Sequence, residues 1–416
     1  MRVAIFNVKF SPNLGDGVIA ECLEHYIAQH RGWQVASIDI AGRTAYEPSR
    51  SGRTRALALT VLRSLPQQWR DVTVEFALRR KLSNDLGPRW RQEVARCDFA
   101  VIGGGQLIQA FDLNFPLKLA QVIAACESHG VPVGLFAVGA TTPQSLKGER
   151  LLRELCASRM LVHAAARDDS SAQTLATLGR AASIVRDPGL LAATTWPHRR
   201  DPSRKQRVIG VGIAHPTLLA YHSSHTETAT QSETLDAYAQ LIDALVKAGH
   251  QVVAFTNGAA EDEIALTEVR KRLADHTKVG ARFAARARTP EQLCRSIAEL
   301  DGLIAHRLHS HIVAYSYGIP SIGLAWDCKI DAFFASIDRR SYLIYLLEHS
   351  AVAVTDLMRR ALEESIDASH HAAVIGEAAA GIDAMIAIIE TTCERYGDRP
   401  QYQPAIGTFA SARAAP

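Results

Sequence analysis

Phe99-Ala100-Val101-Ile102-Gly103-Gly104-Gly105-Gln106 is the stretch on which the fold turns. Four apolar residues in a row, with no polar alternation, read as a strand buried on both faces, as in a parallel sheet covered by helices. Working outward, a helical stretch at Leu117–His129 and a second apolar run at Val133–Val138 complete a strand–helix–strand unit. The rhythm extends upstream through Val3–Val8, a turn at Ser11–Gly17, the helical Val18–His30 and Gln34–Ile40. It extends downstream through Leu151–Ala157, Met160–Ala165, Ser170–Leu178 with Gly179 closing the helix, and Ala182–Val185. The polar stretch Trp196–Gln206, with Pro197 and Pro202, reads as a linker. A second series follows: strands at Val208–Ile213, Gln251–Thr256, Leu303–Ala305 and Ser321–Leu324, helices between them, and a long Ala- and Ile-rich helix at Ala372–Glu394. Alternation of this kind specifies parallel βαβ units. The expectation is an α/β chain with two Rossmann-like doubly wound domains, 1–198 and 207–395, and a loose tail at 396–416.

Bulk properties narrow the function. The chain has 416 residues, 47% hydrophobic and 21% charged, within the globular range. With 46 basic against 43 acidic residues its net charge is +3, not the strongly basic balance of a nucleic-acid reader. Seven cysteines are scattered with no Cys-x-x-Cys pair, so neither a disulfide framework nor a structural zinc site is expected, and the compartment is expected to be reducing. No uninterrupted run of about 18 apolar residues occurs, so no membrane span is expected and the location is expected to be cytoplasmic.

Two stretches break the rhythm. Arg50–Arg96 holds 11 Lys/Arg against 4 Asp/Glu, with Trp69, Phe76 and Trp90 interleaved. It reads either as a solvated helical insertion or as a basic amphipathic surface touching anionic lipid or a lipid-linked acceptor. Ala214–Ser232 carries His215, His222 and His225 in a polar loop, either a lid over the cleft or a connector.

Chemistry gathers where strands end. Asn13-Leu14-Gly15-Asp16 follows the first strand at a helix start, where free N–H groups favour anions; Asn13 and Asp16 are equally ordinary turn and cap residues. Gly103-Gly104-Gly105 offers bare backbone to a ligand or simply a tight strand-to-helix turn, and lacks the Gly-x-Gly-x-x-Gly pattern of a dinucleotide site. Arg167 follows another buried strand, placed to clamp a carboxylate or phosphate or to form a local ion pair. Lys329 stands after the Ser321–Leu324 strand, beside Asp327 and Asp331. The strongest signal is His306-Arg307-Leu308-His309-Ser310-His311, which follows Leu303-Ile304-Ala305 and opens a helix. Three histidines and an arginine at a positive helix end call for a counter-charge, most naturally a bound anion. No compact zinc pattern completes the set, so no metal is expected.

Taken in order, these pieces resemble the polysaccharide pyruvyl transferase family. The matching elements are Asn13-x-Gly15-Asp16, Val101-Ile102-Gly103-Gly104-Gly105, Arg167-Asp168-x-Ser170 with Leu175 and Gly179, Asp187-Pro188, Asp301 ahead of His306-Arg307-Leu308-His309, and Gly318-Ile319-Pro320 with Lys329 and Phe333, spanning about Val3 to Phe334. The resemblance implies two Rossmann domains facing a cleft, similar to the GT-B glycosyltransferases. It implies phosphoenolpyruvate as donor, a sugar of a cell-surface polysaccharide or its lipid-linked precursor as acceptor, a pyruvate ketal as product and release of phosphate, with no cofactor. On this resemblance His309 and Arg307 are the catalytic candidates. Arg167, Arg307, Leu308, His306, Lys329, Gly104 and Gly105 would bind the donor, and Asn13, Asp16 and His311 would face the acceptor. The proton donor stays open among His306, His309 and His311. Two other readings compete: a nucleotide-sugar glycosyltransferase using the same cleft, and a non-catalytic anion-binding component of polysaccharide assembly.

Overall fold

The computed structural model describes residues 1–46, 66–200, 204, 206–217 and 230–395. His222 and His225, the 50–65 part of the basic insertion and the 396–416 tail lie outside them. The first sheet comprises β1 (Arg2–Asn7), β2 (Gln34–Asp39), β3 (Phe99–Ile108), β4 (Val133–Ala140), β5 (Leu161–Ala166) and β6 (Ser183–Ile184), in the order β2-β1-β3-β4-β5-β6 with every pair parallel. The second comprises β7 (Val208–Gly212), β8 (Gln251–Phe255), β9 (Ala281–Phe283), β10 (Gly302–Ala305), β11 (Ser321–Leu324) and β12 (Leu343–Ile344), in the order β12-β11-β10-β7-β8-β9, again all parallel. The α/β expectation holds. In both sheets the order reverses beside the first strand, and the crevice at the carboxyl ends of the strands is where such sheets bind ligands.

Two local expectations are corrected. The strand opened by Phe99 does not end at Ile102; it runs to Ile108, through the glycines. Gly104 and Gly105 take φ of 75° and 95° inside it, values that only glycine adopts freely. A β-carbon on Gly104 would lie 2.5 Å from Ile19 of α1 (Leu14–Arg31), so this glycine lets the helix cross the strand in contact. The helix start also comes earlier than expected: Leu14 is already its first residue, capped by Asn13, whose side chain accepts from Gly15 N.

The basic insertion is helical where described: α2 (Gln67–Lys81), one π turn (Leu82–Leu86) and the Gly87–Ala95 helix. Its aromatics do not act together. Trp90 is buried edge-on against Phe6, whereas Trp69 and Phe76 are exposed.

The two domains share a core. One face of the first sheet, covered by α1, is continuous with the apolar core of the second domain, while the other face forms a separate cluster. The last helix, α6 (Ala368–Arg395), buries Val374, Ala378, Ile382, Met385, Ile386 and Ile389 on one stripe. It reaches the first domain through Asp383 with Tyr26, Glu390 with Arg31 and Glu377 with Arg186. By length and composition α6 is apolar enough to cross a membrane, contrary to the expectation that no segment would be, but its buried stripe is used here to join the domains.

Candidate active site

Four helices begin at the cleft. They are α1, α3 (Asp169–Thr177) after β5, α4 (Leu308–Ser316) after β10, and α5 (Cys328–Ser336) after β11. Each first turn exposes N–H groups, so the cleft is biased toward negative charge before any side chain is counted. The helices meet closely: a β-carbon on Gly15 would come within 2.5 Å of the His309 ring. Gly15 therefore fixes how near α4 of the second domain stands to α1 of the first.

Arg167 enters from the first domain directly after β5, its side chain only 7% exposed. Its Nη2 donates to Gln106 Oε1 at 2.8 Å, and its Nε lies 3.5 Å from Asp168 Oδ2. Gly139 on β4 leaves room for both groups, since a β-carbon there would overlap Gln106 and Arg167. Gln106 Nε2 is buried and has no hydrogen-bond partner. An orphaned buried donor costs on the order of 1–3 kcal/mol, so this amide is a group awaiting an acceptor. In sequence Gln106 reads as the end of a glycine turn and carries no signal of its own.

Arg307, the N-cap residue of α4, is held differently. Its Nη2 donates to both Asp262 carboxylate oxygens at 2.7 Å and its Nε to Oδ2 at 3.1 Å. Burial opposes the guanidinium charge, but the fully buried Asp262 carboxylate overcomes it and keeps Arg307 charged. Asp262 also accepts from the His215 backbone N–H. It sits in Glu261-Asp262-Glu263 at the start of the Ala260–Arg272 helix, an acidic trio that reads in sequence as ordinary helix-end charge.

The histidine cluster does not carry the charge expected of it. Burial lowers all three pKa values, to about 3 for His306, about 3 for His309 and about 4 for His311. His306, 4% exposed, shares a 2.6 Å hydrogen bond with the Tyr238 hydroxyl, and its carbonyl accepts from Trp326 Nε1. His311 is fully buried, donates from Nε2 to the Ala305 carbonyl at 2.8 Å and meets Phe334 edge-on. These two hold β10 and α4 in place, and the expected acceptor-facing role of His311 is corrected by its burial. The counter-charge inferred for the cluster is therefore needed by Arg307 alone, and Asp262 supplies it.

His309 has no such anchor. Its Nε2, like His311 Nδ1, is buried without a partner, and after burial the nearby charges of Arg167, Lys329 and Arg307 hold its pKa down. Lys329 is the second residue of α5, 24% exposed, with Nζ 3.2 Å from Asp327 Oδ2. Asp16, in the first turn of α1, has its pKa raised by burial, an effect opposed by a Ser11 hydrogen bond and by Arg43, Arg167 and Arg307. Gly105 lies against it, a β-carbon there being 3.7 Å from Asp16 Oδ1. Leu308, in the first turn of α4, is half-buried and packs on the shared core. The structure thus brings together Arg167, His309, Lys329, Asp16 and Gly105, adds Gln106, and assigns Asn13, Gly104, His306 and His311 to scaffold contacts. Beside Leu14 the cleft opens into a cavity of about 220 Å³ whose walls include Phe10, Pro12, Tyr46, Arg286 and Arg288. Among the described residues no three histidine, cysteine or carboxylate side chains gather at metal-ligating range.

A family model for polysaccharide pyruvyl transferases matches residues 13–327, which include the whole of this constellation except Lys329. The chain belongs to the polysaccharide pyruvyl transferase family. No curated protein sequence matches it. Solved structures similar to this family member share its fold at low identity. UDP-GlcNAc 2-epimerase from Methanocaldococcus jannaschii has a TM-score of 0.53 and 7% identity, over 94% of this chain and 100% of that one. HepE from Anabaena, solved with UDP, has a TM-score of 0.50 and 12% identity, over 94% and 100%. Trehalose 6-phosphate synthase from Burkholderia multivorans has a TM-score of 0.50 and 11% identity, over 97% and 99%. The pyruvyl transferase chain therefore has the two-domain GT-B architecture.

Proposed function

We propose that the chain moves the pyruvyl group of phosphoenolpyruvate onto a sugar of a cell-surface polysaccharide or its lipid-linked precursor, forming a pyruvate ketal and releasing phosphate. The observation that carries this reading is the pair of buried, unpartnered nitrogens, Gln106 Nε2 and His309 Nε2, in a site whose cations include Arg167 and Lys329. A compact anion with carboxylate and phosphate oxygens satisfies both nitrogens and the charge together.

The reaction adds a proton to the donor's methylene carbon and makes C2 electrophilic. One sugar hydroxyl forms a C–O bond to C2, the C2–O bond to phosphate breaks, and the second hydroxyl closes the ketal. Of the two hydroxyl protons, one balances the new methyl group and the other leaves with phosphate. His309, kept neutral by burial, is the base for a hydroxyl, and Asp16, whose pKa burial raises, is the acid. His306 and His311 drop out of the competition because both are engaged in the scaffold. The cavity edged by Phe10, Tyr46, Arg286 and Arg288 offers aromatic and cationic walls to a sugar phosphate, and this is where the acceptor would enter.

Donor binding brings negative charge beside His309 and raises its pKa above the value of about 3 that burial and the neighbouring cations impose, so the neutral ring becomes a better base for the acceptor hydroxyl. Acceptor-dependent phosphate release that disappears in Arg167→Ala and His309→Gln, while calorimetry shows that His309→Gln still binds phosphoenolpyruvate, supports the assignment. Phosphate release left unchanged by His309→Gln would remove His309 from its role.

A further inference from the structure

We infer that the outer face of α2 seats the enzyme on an anionic lipid bilayer, with the cleft rim beside it. α2 has two apolar faces. Val74 and Leu78 pack inward on the core of the first domain. Trp69, Val72 and Phe76 point away from it, at 66%, 60% and 80% exposure. At 3.6 residues per turn these three lie within about 60° of arc, opposite Val74 and Leu78. Single exposed apolar residues are ordinary on a protein surface, but a Trp, a Val and a Phe stacked over two turns need a partner.

Charge selects the partner. The exposed Arg80 falls on the same face as Trp69 and Phe76, and Arg79-Arg80-Lys81 forms the last turn of the helix. The carboxylates lie on the side turned toward α2's neighbours. Asp71 accepts from Ser145 at 2.6 Å, and Glu75 is bound by Lys147 at 2.5 Å and by Arg79 at 2.6 Å. An apolar stripe edged by cations, its acids engaged on the side away from the stripe, suits a surface of anionic headgroups better than a neutral protein groove.

Placement relates this face to the site. Lys81 Nζ donates to the Ala41 carbonyl, just past β2, and Ser145 follows β4, so both attachments are to loops at the carboxyl edge of the sheet that carries Arg167 and Gln106. Near Lys81, Arg43 and the buried Lys118 extend the positive charge toward the cleft, and burial with these neighbours lowers the Lys118 pKa to about 8. A bilayer under α2 would therefore present a headgroup-linked sugar at the cleft mouth. This last step rests on the proposed lipid-linked acceptor; the docking itself does not.

The test is co-sedimentation of the full chain with vesicles of phosphatidylcholine alone or mixed with phosphatidylglycerol, with neither phosphoenolpyruvate nor acceptor present. The wild type is expected to pellet with the phosphatidylglycerol vesicles, less so as salt is added. The Trp69→Ser/Phe76→Ser double variant should lose at least tenfold in apparent affinity and Arg80→Glu several-fold. Circular dichroism should be unchanged, because these side chains are exposed. Equal pelleting of wild type and double variant, or no pelleting of the wild type, would overturn the inference. So would a wild-type dimer that becomes monomeric in the double variant while ignoring vesicles, which would give the face to a second copy of the chain. A failed vesicle result leaves phosphate release with a soluble acceptor untouched, and the reverse also holds.

Discussion

Arg167 and Arg307 share a local setting, each just past a buried strand and just before a helix that opens on the cleft, although β10 neighbours the first strand of its sheet and β5 does not. Their surroundings differ. Arg167 leans on a neutral amide and one long ion pair, so most of its charge remains for a ligand. Arg307 is forked onto a fully buried carboxylate, so its charge is largely spent within the protein. The first is built to receive an anion, and the second holds α4 in register with the Ala260–Arg272 helix so that His309 reaches Gly15. A shared local setting does not mean a shared role; the nearest carboxylate decides.

The sharpest way to break this contrast is Asp262→Ala. It leaves a buried guanidinium unpaired and should cost about 3–5 kcal/mol of stability, read from urea unfolding. An unchanged midpoint would erase the distinction between the arginines. Next, Arg167→Ala should slow phosphate release by about 10²–10³-fold while its melting temperature stays close to wild type. Arg167→Lys should recover little, because an ammonium cannot span two oxygens as a guanidinium does.

A smaller effect follows from the histidines. His306, His309 and His311 are neutral when folded and titrate near 6.5 when unfolded. The unfolded chain therefore binds more protons between that value and about 3 or 4. Stability conferred by the neutral rings is present above pH 6.5 and is lost as pH falls, by up to about 1.4 kcal/mol per pH unit for each ring. Asp16 and Asp187, with raised pKa values, act in the opposite sense, losing stability as pH rises through the carboxylate range. Urea midpoints from pH 7 to 5 should fall for the wild type and fall less steeply for His311→Gln. The smallest effect belongs to Gln106→Ala, which should raise the donor KM roughly five- to tenfold, about one hydrogen bond's worth, with kcat largely kept.

The architecture was legible because buried parallel strands write themselves as unbroken apolar runs, and Phe99–Ile102 and Leu303–Ala305 are such runs. The Ala281–Phe283 and Leu343–Ile344 strands escaped because three or two residues leave no periodicity to count. The glycine triplet misled because a glycine run signals a turn in sequence, whereas here it serves the crossing of α1 over a continuing strand. Of the site, Arg167, His309 and Lys329 were visible from their places after strands. Gln106 was not, lying within the strand, and neither was Asp262, whose partner is 45 positions away. The three histidines show the limit most clearly: neighbours in sequence, they differ in what holds them, a hydroxyl on His306 Nδ1 and a backbone carbonyl on His311 Nε2, whereas His309 Nε2 meets nothing.

The most direct test of pyruvyl transfer is mass analysis of the acceptor after incubation with phosphoenolpyruvate and a panel of soluble and polyprenyl-linked oligosaccharides. The account predicts a sugar carrying one added pyruvate ketal, formed one-for-one with released phosphate and absent with Arg167→Ala. An acceptor that gains a sugar from a nucleotide-sugar donor and nothing from phosphoenolpyruvate would contradict it.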